Sequence, residues 1–124
     1  NRTLVISPWD KTLMPEIEKA ITSSDLGLNP SSSGDLIRIN MPALTEETRQ
    51  DYIKQARAEA ENARISIRSA RRDSNQSARD LNANGELSND ELRDLEVEIQ
   101  EITDKFISSV DEQLKHKEED LIQI

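Results

Sequence analysis

Four arginines, Arg64, Arg68, Arg71 and Arg72, lie between Asn62 and Arg72 with no acidic residue among them, in a chain whose formal net charge is −9. At about 100° of rotation per helical residue, Arg57, Arg64, Arg68 and Arg71 share one face and Arg72 stands further round. A guanidinium stays charged at any cellular pH and can hold a phosphate through two parallel N–H bonds, so such a row suits an RNA backbone. The competing reading is that the same arginines pair with carboxylates of a neighbouring helix, a common arrangement of surface charge.

A second constellation runs from Asp80 to Glu91 and fits the calcium-loop pattern D-x-[DN]-x-[DN]-G-x5-E. Asp80, Asn82, Asn84, the Glu86 carbonyl and Glu91 would supply oxygen, and Gly85 the sharp turn. Against it stand the single copy of a motif that usually pairs and the presence of only two carboxylates among the ligand side chains. The alternative is an interhelix turn in which Ser88 and Glu91 form a capping box. His116 follows Glu112 by one helical turn, a spacing two metal ligands could use, but the chain has no other His and no Cys, so solvated surface is the better reading and no metal site is assigned. The same scarcity disfavours a catalytic triad or a Cys–His pair, and no phosphate-cradling glycine motif is present. Neither enzymatic activity nor a cofactor is expected. Trp9, next to Pro8, is either a contact residue or part of a small core.

These residues must be carried by long helices. Hydrophobic residues make up 34% and charged residues 33% of 124, with one Trp, one Tyr and one Phe, a balance that favours amphipathic helices over a globular enzyme. From Ile53 the small and apolar residues recur at 53, 56, 60, 63, 67 and 70, one stripe of a helix that Thr45 caps and that extends to about Leu81. After a break around Gly85, Leu92, Leu95, Ile99, Ile102, Phe106, Val110, Leu114 and Leu121 mark a second long helix, expected antiparallel to the first. Both stripes are broad enough to need a third partner. Upstream, Thr3–Ile6 reads as a strand, Asp10–Leu13 as a turn, Pro15 as a helix start and residues 36–39 as a second strand, with 26–34 as loop. Residues 1–41 therefore form part of a small α/β unit. The acidity is uneven: residues 86–124 hold thirteen acidic and four basic residues, whereas residues 45–85 hold seven and eight. No apolar run reaches the length of a membrane span.

The blocks Asp25-Leu26-Gly27-Leu28-Asn29-Pro30, Ile37-Arg38-Ile39, Pro42-Ala43-Leu44-Thr45-Glu46-Glu47-Thr48-Arg49 and Ser69-Ala70-Arg71-Arg72-Asp73 follow in the order and spacing of ribosome recycling factors. The chain resembles that family over essentially its whole length. The resemblance implies an L-shaped α+β protein: a partial α/β domain over 1–41, a hinge segment at 42–45 preceded by Met41 (Met41, Pro42, Ala43, Leu44, Thr45), and a helical-bundle domain over 46–124. It implies a translation factor that binds 23S ribosomal RNA of the large ribosomal subunit and, with elongation factor G, splits post-termination ribosomes. Arg68 and Arg71 match the positions most used for that contact, with Arg64 and Arg72 in support. Neither a membrane nor DNA is an expected partner. The expected setting is a bacterial cytoplasm, or an organelle stroma or matrix for a nuclear-encoded form. The family's first bundle helix, first hinge segment and early strands would precede Asn1. The full-length family member is expected to be a monomer, whereas this chain is expected to show impaired stability and a tendency to self-associate. A calcium-binding helix–loop–helix protein and a structural coiled-coil adaptor are the alternatives the residues leave open.

Overall fold

The computed structural model describes residues 2–123 and divides the chain into two compact units, Asn1–Ala43 and Leu44–Ile124. The smaller unit runs β1 (Thr3–Ile6), a 3-10 turn (Lys11–Leu13), α1 (Met14–Thr22), β2 (Pro30–Ser33) and β3 (Leu36–Asn40). Its antiparallel sheet has the order β1-β3-β2. The central strand alternates, with Ile37 and Ile39 buried and Arg38 exposed between them. Leu4 pairs with Ile39 and Ile6 with Ile37, so apolar side chains of neighbouring strands meet on one face. Asp10 organises the turn after β1, its carboxylate accepting from the Thr12 N–H at 3.0 Å and the Thr12 hydroxyl at 2.6 Å.

Strand β2 corrects the reading of residues 26–34 as loop. Pro and three Ser are poor strand formers, but Pro30 opens an edge strand, where a missing N–H costs little. Gly34, at φ +62, starts the two-residue link to β3, the position where a tight hairpin tolerates only glycine at no cost. The pairing of Ser32 with Ile37 and of Ser31 with Arg38 therefore comes from the hairpin and not from local preference.

The larger unit is two helices, α2 (Glu46–Ala83, 38 residues) and α3 (Asn89–Gln123, 35 residues). At 1.5 Å per residue α2 is about 57 Å long. It begins at a reciprocal cap: the Thr48 N–H donates to the Thr45 hydroxyl at 3.1 Å, and the Thr45 N–H to the Thr48 hydroxyl at 2.8 Å. It ends in a Schellman motif, with Gly85 at φ +80, the Gly85 N–H on the Asn82 carbonyl and the Glu86 N–H on the Leu81 carbonyl.

This geometry answers the calcium reading. Asp80 and Asn82 lie inside α2, and the Asn82 amide donates to the Leu87 carbonyl and to Asn89 Oδ1, both at 2.9 Å. Glu91 accepts from the Ser88 N–H while its own N–H donates to the Ser88 hydroxyl, each at 3.1 Å, so the last supposed ligand is a helix cap. Among the described residues no group of three or more His, Cys, Asp or Glu is placed to hold a metal ion.

The seam between α2 and α3 does not run along the centre of the apolar stripe. Ile53, Ala60 and Ala78 of α2 and Thr103 and Leu121 of α3 are buried, and the Thr103 hydroxyl is satisfied by the Ile99 carbonyl at 2.7 Å. Ala56, Ala63 and Ala70 fall to one side of that seam, where Ala56 and Ala63 with Val110 and Leu114 line one open apolar hollow and Ala70 with Ile102 and Phe106 lines a second. Ile102 and Phe106 stay more than half exposed. Two helices can cover only one flank of stripes this wide.

Candidate nucleic-acid interface

The arginines follow that seam, Arg71 lining the same hollow as Ala70, Ile102 and Phe106, and the structure separates residues that the helical wheel places together. Arg57 Nε donates to Glu118 Oε1 at 2.7 Å. Arg64 Nε and Nη2 both reach Asp111 Oδ1, at 2.8 and 2.7 Å, and its Nη1 reaches Glu61 Oε2 at 3.0 Å. Arg79 stands 3.7 Å from Glu96. Among the described residues, three rungs of interhelical ion pairs thus join α2 to α3 in one constant antiparallel register.

Between the second and third rungs the ladder is interrupted. Among the described residues no ion pair joins Arg68, Arg71 or Arg72 to a carboxylate. Arg68 and Arg71 are half-buried and Arg72 is exposed. The register of the other rungs sets Arg71 opposite Asp104, but Asp104 Oδ1 accepts from the Gln100 side chain at 2.9 Å. The expected row is therefore split. Arg57 and Arg64 are engaged with acidic side chains, as the competing reading held for all of them, and Arg68, Arg71 and Arg72 form a positive gap.

Hydrogen bonds donated to Asp111 and then to Glu61 push the Arg64 guanidinium still further above its ordinary pKa, so it is a permanent cation held by two anions. Its side chain is 20% exposed. Arg79, outside the expected row, proves to be a third clamp. The acidic partners could not be picked out beforehand, because thirteen carboxylates lie in residues 86–124 and only the hairpin register selects among them. The segment Met41–Thr45 contains neither helix nor strand; the Met41 N–H closes the sheet on the Arg2 carbonyl at 2.6 Å, and Thr45 caps α2.

A small three-stranded sheet with one helix, followed in the same chain by a long antiparallel helical hairpin, defines an α+β protein whose larger unit is built of two helices. A model of the ribosome recycling factor family matches residues 1–122. The chain belongs to the ribosome recycling factor family. It is 58% identical over 123 residues to the ribosome-recycling factor of Saccharophagus degradans and 56% identical to that of Marinomonas sp., in each case over 99% of this chain and 66% of the relative. The chain thus spans just under two thirds of the length of the curated relatives it matches. A solution structure of a ribosome recycling factor superposes with a TM-score of 0.69 at 32% identity, covering 99% of this chain and 65% of that one. A model of the Thermus thermophilus (T. thermophilus) factor, described together with Escherichia coli (E. coli) elongation factor G on the E. coli post-termination complex, gives 0.59 at 48% identity, covering 98% and 65%.

Proposed function

We propose that this chain is the RNA-binding portion of a translation factor that docks on the large ribosomal subunit and, with elongation factor G, splits post-termination ribosomes in a bacterial cytoplasm. The observation that carries this reading is the interrupted ladder: in a protein of net charge −9, Arg68, Arg71 and Arg72 on one stiff helix have no anionic partner among the described residues. Arg68 and Arg71 make the principal phosphate contacts and Arg72 supports them. Arg57 and Arg64, included in the row by helical spacing, serve first as clamps of the hairpin. No step of bond making is assigned to the chain; it acts by binding and by being moved.

Residues 41–45 are the hinge segment in this reading, between a partial α/β domain and a helical-bundle domain. The open hollows beside Ala56 and Ala63 and beside Ala70 mark the face on which, in this reading, the third helix of the family's bundle packs. Co-sedimentation with purified large ribosomal subunits tests the proposal. The unaltered chain should pellet with them and Arg71→Glu should not, while both keep the same helical circular dichroism. Equal pelleting of the two would refute the site.

A further inference from the structure

Arg64 and Arg71 stand about one heptad apart on α2 and therefore leave the helix in nearly the same direction, yet only Arg64 is saturated. Asp111 takes two of its donors and Glu61 a third, all within 3.0 Å. A phosphate approaching Arg64 would have to displace charge-assisted bonds and would meet two carboxylates for one guanidinium, a locally negative rung. We propose that Asp111 is a masking carboxylate that holds Arg64 off RNA, so that the phosphate-binding footprint on α2 begins at Arg68.

The inference rests on the RNA reading above and adds to it a residue on the opposite helix that limits the contact. Asp111→Asn removes the charge and retains an amide oxygen that can still accept from Arg64, so the hairpin clamp is kept while the rung loses one negative charge. Arg64 then becomes available as one further phosphate contact. Each added contact steepens the dependence of log affinity on log salt by about 0.7 to 0.9.

The experiment is a salt titration of binding to purified large ribosomal subunits, with thermal melts of each variant followed by circular dichroism. Asp111→Asn should tighten binding at low salt and steepen the slope by about one contact, and the steepening should vanish when Arg64 is also changed to Gln. Glu61→Gln, which leaves the interhelical pair in place, should act in the same direction and keeps the test open if Asp111→Asn loosens the hairpin. Glu112→Gln, on the same helix and 3.8 Å from His116, controls for loss of a negative charge in general. An unchanged slope in both single variants overturns the masking role. So does a gain of equal size in the Arg64→Gln background or in Glu112→Gln. Failure of the unaltered chain to bind the subunits at all overturns the RNA reading, and the inference with it.

Discussion

Replacing Arg68, Arg71 and Arg72 together with Ala removes the three cations that lie in the gap of the ladder and leaves every interhelical ion pair intact. If each contributes one phosphate contact, the slope of log affinity against log salt should fall by about 0.7 to 0.9 per residue, or about two to three in all. Between about 50 and about 200 mM salt, a fourfold change, the unaltered chain should lose roughly 20- to 40-fold more affinity than the variant. Arg57→Met is the matched comparison, because Arg57 already has a partner in Glu118. An exposed ion pair of this kind stabilises by about 0.2–1 kcal/mol, so that variant should melt slightly earlier and keep its slope. Fluorescence anisotropy of labelled chain against large ribosomal subunits, over a salt series, measures all three. The reasoning fails if Arg57→Met flattens the slope as much as a residue of the gap does, or if the triple variant keeps the slope of the unaltered chain.

Two further outcomes concern the scaffold. Ile37 is fully buried at the centre of the sheet, so Ile37→Ala should destabilise the small unit by about 2–5 kcal/mol; amide exchange should accelerate over Leu36–Asn40 and stay unchanged in α2. The Glu91 carboxyl is held below its ordinary pKa by the backbone N–H and then the side chain of Ser88. A depressed folded-state pKa means that the cap's contribution is present above the unfolded value of about 4.3 and is lost as pH falls through the lower, folded one. Amide protection at the start of α3, taken relative to the intrinsic exchange rate at each pH, should therefore fall in acid below that value, and Glu91→Gln should abolish this response.

Much of the fold is legible in the residues because the signals are local. Thr45 with Thr48, Ser88 with Glu91, and Gly85 each act within a few positions, so both ends of the interhelix turn can be read from side-chain chemistry alone. Strand β2 could not be, since Pro30 and the serines carry no strand signal and are held only by their pairing with β3. The apolar stripes locate the helices correctly but not the seam, because a stripe wide enough for two partners does not say which flank the first one takes. That ambiguity extends to the site. The helical wheel groups Arg57, Arg64, Arg68 and Arg71, and within α2 Glu61 marks off Arg64; the rest of the distinction comes from Glu118, Asp111 and the Gln100–Asp104 bond on a helix whose register depends on the length of the turn.

Net charge is a poor guide to whether such a molecule can bind a polyanion. At physiological salt a charge is felt over about 8 Å, whereas an α-helix with its side chains is about 10–12 Å across. Carboxylates on the far side of α3, such as Glu112, are thus largely screened from a ligand lying along the α2 flank. Those that matter are the few at the seam, and there the outcome depends on where each is directed. Asp111 and Glu118 turn towards arginines and cancel them, while Asp104, at the rung facing Arg71, is engaged by Gln100 on its own helix. A surplus of acid over the molecule as a whole can therefore coexist with a short positive segment. A short segment has a use that a uniformly basic helix would not, since it restricts the polyanion to one stretch of the rod and so sets the position along α2 at which RNA is held.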